Sequence, residues 1–107
     1  MNLIETVLTE AGLVKNKTFK QTRFKAVPGV DFAVWTDQVE ADGSDQENLF
    51  FRHSATVEMY MYQPDETVLR ALLRALNLKG IKYTASDKTW LQSEQFYLVY
   101  VYFDWVE

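Results

Sequence analysis

The sequence predicts an α+β fold, a single domain (residues 1–107) with a mainly antiparallel sheet of 4–5 strands and two helices packed on one face. Three observations carry this expectation. Residues 50–62 alternate, with Phe51, His53, Ala55, Val57, Met59 and Met61 on one side and Arg52, Ser54, Thr56 and Glu58 on the other, which is the period of a half-buried strand. After Asp65, the positions Val68, Leu69, Leu72, Leu73, Ala75 and Leu76 recur at helical spacing, and Glu66 stands four residues before Arg70. Finally, 107 residues that are 48% hydrophobic and 15% aromatic leave room for one modest core and no second domain.

The elements follow in order. Asn2, with Glu5 three residues on, reads as a helix start; Leu3, Ile4, Val7, Leu8 and Ala11 make its apolar stripe and Gly12 its stop. About three turns are marginal alone, so the stripe is expected to dock on the sheet or on another subunit. Residues 17–24 hold Thr18, Phe19, Thr22 and Phe24 without a clean period, a weak strand closed by the turn Val27-Pro28-Gly29. Residues 32–36 are apolar and strand-like, continuing to about Val39, and residues 40–48 then read as a polar, glycine-bearing loop. The long strand at 50–62 spans roughly 40 Å at about 3.3 Å per residue, enough for one end to project past the sheet. Gln63-Pro64-Asp65 stops it, because proline cannot donate to a ladder, and Asp65 is placed to cap the next helix. Gly80 ends that helix, residues 81–85 form a short strand, Ser86-Asp87-Lys88 a turn, and residues 95–105 a last strand.

That last strand is apolar on both sides. Val99, Val101 and Phe103 lie on one face and Leu98, Tyr100 and Tyr102 on the other. Two helices cover one face only, so the face with Leu98, Tyr100 and Tyr102 is expected to be partly exposed in an isolated subunit and covered by something outside it.

The formal net charge of −4 argues against nonspecific nucleic-acid binding, and the charge is unevenly placed. Lys15, Lys17, Lys20, Arg23 and Lys25 form a run without an acid, whereas Asp31, Asp37, Glu40, Asp42, Asp45 and Glu47 form one without a base. Two solvated loops are one account of this polarity; the other is that the basic run of one subunit meets the acidic run of its neighbour, with the 40–48 loop ordering on assembly.

Chemistry has little to work with. Cysteine is absent, which excludes disulfides and thiolate metal sites, and the N-terminus lacks the basic flank and long apolar run of a signal peptide, so cytosolic synthesis is expected. No apolar run approaches 18 residues, so no membrane span is predicted. Gly43 placed at the sixth position of a calcium loop puts Gln38 at the first and Leu49 at the twelfth, so two obligatory carboxylates are missing. His53 is the single histidine, and its neighbour Ser54 points to the opposite face; glycines 12, 29, 43 and 80 never cluster into a phosphate-binding loop. No catalytic residue, metal site or cofactor is therefore expected, and His53 is expected to be structural.

Met1-Asn2-Leu3-Ile4, Phe32-Ala33-Val34-Trp35-Thr36-Asp37, Ala41-Asp42-Gly43-Ser44-Asp45, His53-Ser54-Ala55-Thr56-Val57-Glu58-Met59-Tyr60 and Trp90-Leu91-Gln92-Ser93-Glu94-Gln95-Phe96-Tyr97-Leu98-Val99-Tyr100, taken in that order, resemble the tail-terminator, or tail-completion, proteins of long-tailed phages and prophages of Gram-positive bacteria. The resemblance covers nearly the whole chain in element order, through patterned strands rather than a catalytic signature. The basic run departs from the family pattern, in which a proline-rich approach to the aromatic strand is common; only Pro28 stands here. The resemblance implies an α+β subunit that is a structural virion protein at the head-proximal end of the tail, located in the host cytoplasm before assembly. Its partners would be copies of itself in a ring, commonly of six, the tail tube protein whose growth it stops, and the head–tail connector that docks on it. Leu98, Tyr100, Tyr102, the basic run and Glu40, Asp42, Asp45 and Glu47 are then the candidate interface residues. A monomeric or dimeric prophage-encoded regulatory module, binding another protein through the aromatic sheet face, is the alternative.

Overall fold

The computed structural model describes residues 2–42 and 50–107. Asn2 caps helix α1 (Leu3–Glu10) by accepting a 2.9 Å hydrogen bond from the Glu5 amide, and Gly12, at φ +100, turns the chain out of it. The chain continues through β1 (Phe19–Gln21), β2 (Phe32–Asp42), β3 (Phe50–Met61), α2 (Thr67–Leu78), β4 (Tyr83–Ala85), β5 (Thr89–Leu91) and β6 (Phe96–Val106). These six strands make one open sheet in the order β1-β2-β3-β6-β4, with β5 pairing beside β4 on the same edge of β6. All pairings are antiparallel except β1 with β2. The fold is thus the expected α+β arrangement, with the short β5 as a strand that the sequence does not announce.

Both helices lie on one face. Ile4, Val7 and Leu8 of α1 and Leu69, Leu72, Ala75 and Leu76 of α2 pack over Ala33 and Trp35, Ala55, Val57, Met59 and Met61, and Val99, Val101 and Phe103. This is the two-layer solution for an amphipathic helix pair on a sheet with one apolar face. A 3.0 Å ion pair between Lys79 and Glu10 ties the helices at their C-terminal ends.

Two expectations are corrected. Residues 40–48 are not a loop throughout, because β2 runs on to Asp42 in register with β3 down to Asp42↔Phe50. The extension has a local reason: Glu40 stands directly opposite Arg52, and such opposite-charge cross-strand pairs stabilise a two-stranded ribbon. Residues 43–49, with Asp45 and Glu47, lie outside the described residues. Asp65, in turn, accepts from the first helical amide, that of Thr67, at 3.5 Å, but one residue ahead of the N-cap position, which Glu66 fills at φ +56 without a side-chain bond to the helix. The Glu66 side chain instead pairs with Lys88 at 3.3 Å and Arg70 at 3.9 Å.

The helices cover only part of the sheet. Past Asp37 on β2, Ala55 on β3 and Phe103 on β6, three strands run on without a helix over them, and Val39 (50% exposed) and Phe51 (43%) face open space there. The molecule is accordingly elongated, 50 Å in its longest dimension against 29 and 22 Å.

Candidate functional site

The side of the sheet that carries no helix is where the chain presents most of its unusual chemistry. Alternation puts Phe32 and Val34, Glu58 and Tyr60, and Phe96, Leu98, Tyr100 and Tyr102 on this side. Thr22, at φ +74, ends β1 in a left-handed turn in which its amide bonds Trp35 O. The chain is thereby carried around the sheet edge, and Phe24 lands edge-on against Phe32 at 5.7 Å. Phe32 in turn stacks on Tyr60 at 4.7 Å, and Phe96 meets Phe32, Tyr60 and Tyr62 at 5.9, 5.0 and 5.7 Å. These rings form a second small core, in which Phe32, Val34 and Phe96 are buried without any helix.

Away from that cluster the cover thins. Along β6, Leu98 is buried, Tyr100 half-buried and Tyr102 44% exposed, the two tyrosine rings lying nearly parallel with centroids 6.1 Å apart. Beside the cluster, Arg23, Phe24, Val27, Phe32, Glu58 and Tyr60 line a shallow groove of about 200 Å³. The Tyr60 hydroxyl donates to Glu58 at 3.0 Å, and burial, with the Glu58 charge beside it, pushes its pKa up, so it stays a neutral donor.

The structure places the basic run and part of the acidic run that the sequence singles out. Lys15 is engaged within the subunit, 3.2 Å from Glu5, whereas Lys17, Lys20, Arg23 and Lys25 are exposed. Lys20 is level with Val34, so Glu40, six residues further along β2, stands roughly 20 Å away at about 3.3 Å per residue. Within one subunit Lys20 and Glu40 do not meet.

His53 has partners that sequence reasoning missed. It sits at the base of the helix-free projection, where its Nδ1 is 2.6 Å from Asp37 on β2 and its Nε2 3.2 Å from Glu107, just past β6, while its ring stacks on Trp105 at 4.4 Å. The Asp37 hydrogen bond, followed by Glu107, raises the imidazole pKa above its ordinary value against the burial that lowers it. The imidazole thus meets a carboxylate from β2 on one side and one from just past β6 on the other. Ser54, its neighbour in sequence, is on the other side of the sheet, and the two carboxylates engage opposite ring nitrogens rather than converging on one point. Among the described residues no cluster suits a metal ion, and no helix is long and apolar enough to cross a membrane. Asp37 sits two residues from Val39, the partner of His53 across the strands, a spacing that carries no signal until the register is known.

These features define a class, the open-sheet α+β domain with one helix-covered face and one aromatic face. No protein-family model and no curated protein sequence matches the chain. Among solved structures it is similar to a chain in the virion of a native gene transfer agent (GTA) particle, with a TM-score of 0.55 and 8% sequence identity, over 96% of this chain and 83% of that one. At that identity the likeness is one of fold.

Proposed function

We propose that the chain is a structural virion protein of a phage-like particle, a tail terminator that closes the tail tube as a ring and offers the docking surface for the head connector. The observation that carries this reading is the helix-free sheet face, where Tyr100 and Tyr102 continue an aromatic core out to the solvent. A surface of that composition suits burial against protein, since tyrosine brings a large apolar body and a hydroxyl that tolerates a wet rim. Sharing a fold with a chain of a GTA virion supports a virion role, and the patterned strands that resemble tail terminators support the finer one. On this reading its work is mechanical rather than catalytic, and its partners are its own copies, the tube protein and the connector.

Mixing the purified chain with polymerising tail-tube protein of the same particle tests it. Tube growth should stop, and electron microscopy should show one ring at a single end of each tube. Tubes of unchanged length, without terminal density, would overturn the reading. If the chain instead ran as a stable monomer or dimer and captured a cytosolic regulator through the Tyr100 and Tyr102 face, the regulatory module would be the better account.

A further inference from the structure

His53 serves two carboxylates at once. Asp37 meets its Nδ1 at 2.6 Å and Glu107 its Nε2 at 3.2 Å, and an imidazole carries an N–H on both nitrogens only when it is protonated. The two contacts are unequal. The Asp37 side chain is 11% exposed and its second oxygen, Oδ1, is buried without a hydrogen-bond partner, so among the described residues the ring is its one partner. The Glu107 side chain is 58% exposed, and Nε2 meets it as an ion pair without hydrogen-bond geometry. That second contact therefore rests on the charge of the ring, and water can replace it.

Among the described residues Asp37 and Glu107 are the charged groups that act on the ring. Val39 of β2 and Trp105 of β6 flank it, whereas Arg52 on β3 and Asp104 on β6 alternate to the other side of the sheet. Going beyond the proposed function and independent of it, we infer that His53 is a proton-operated clasp on the helix-free projection: its imidazolium holds the Glu107 side chain, and with it the end of the β6 segment, against β3, and loss of one proton lets that end go. When the Nε2 proton leaves to water, Asp37 keeps the remaining N–H at Nδ1, and Nε2 turns a lone pair toward the Glu107 carboxylate. Two acceptors then face each other, and the exposed one swings into solvent. The Phe51 and Glu107 amides, each bonded to the other's carbonyl oxygen, lose the side-chain tie that backs them. Because both carboxylates favour the charged ring, the clasp is closed below the folded midpoint of His53 and opens as pH rises through it.

NMR across the His53 titration tests this on the purified chain. Below the midpoint, cross-relaxation should connect the His53 ring protons both to the Trp105 ring and to the Glu107 side chain; above it the Trp105 contact should persist and the Glu107 contact disappear. Amide exchange reports the same event in the backbone. Protection factors, from which the intrinsic effect of pH has been divided out, should fall about two- to fivefold at Phe51 and Glu107 as the ring loses its proton, the scale of one exposed ion pair opening at a strand end. Glu107→Gln, at an exposed side chain that folding does not need, should lower the His53 midpoint and remove that step. A Glu107 contact that survives above the midpoint, a protection step that persists in Glu107→Gln, or a ring that leaves Trp105 as its proton goes would overturn the clasp.

Discussion

The two faces of β6 read alike in sequence and behave differently in the folded chain. Val99, Val101 and Phe103 are at most 2% exposed beneath two helices, whereas on the opposite side exposure climbs from 8% at Leu98 to 44% at Tyr102. Apolar patterning says that a face wants cover; it does not say whether the cover comes from the same chain. The side chains do carry a hint, since the covered face uses valine and phenylalanine, and the face that reaches solvent uses tyrosine.

Matched substitutions sharpen the comparison. Leu72→Ala, at a side chain fully buried between α2 and the sheet, should lower stability by about 2–5 kcal/mol in urea titration, the range for a cavity that closely packed neighbours cannot close. Leu98→Ala removes the same atoms from the helix-free face, where water and the tyrosine rings can collapse into the gap, and should cost about 2 kcal/mol or less. Equal losses would mean that the second face is packed as tightly as the first.

A smaller effect is expected at the base of the projection. Asp37, and after it Glu107, favour the charged form of His53, so the pairing contributes stability that is fully present below the unfolded pKa of about 6.5 and is lost as pH rises through the raised folded value. By NMR, the His53 ring should titrate above about 6.5, and Asp37→Asn should lower that midpoint. A native midpoint at or below 6.5 would mean that burial outweighs both carboxylates. Tyr102→Ser should do least to the monomer, within about 0.5 kcal/mol, while weakening the proposed assembly through this face. Loss of folding there would show Tyr102 to be a brace within the subunit.

Elements that local chemistry determines were legible in the sequence. The Asn2 and Glu5 pair does cap α1, the alternation at 51–61 does face the core from Ala55 onward, and the heptad-like spacing after Val68 does make α2. What depends on register was not. His53 finds Asp37 and Glu107 only because β2, β3 and β6 lie side by side in one alignment, and nothing in the spacing of 37, 53 and 107 says so. Phe19 and Phe24 look like one strand's aromatics, yet β1 ends at Gln21 and Phe24 reaches the second core only after Thr22 takes a left-handed turn that a β-branched residue rarely adopts. Of the candidate interface residues, the tyrosine face is brought together along β6, whereas Lys20 and Glu40 are held apart along β2.

The place of β6 in the sheet has a consequence for how the chain is made. It is the last strand in the sequence and an interior one in space, pairing with β3 on one side and with β4 and β5 on the other. During synthesis β3 therefore waits with one flank bare until residues 96–106 have left the ribosome. The segment that then arrives, FYLVYVYF, has no charge, glycine or proline, the composition that favours stacking with its own kind before it finds its place. Glu94 and Asp104 bracket it, and as gatekeepers they oppose that self-pairing during the interval when the strand is out and the sheet is not yet closed.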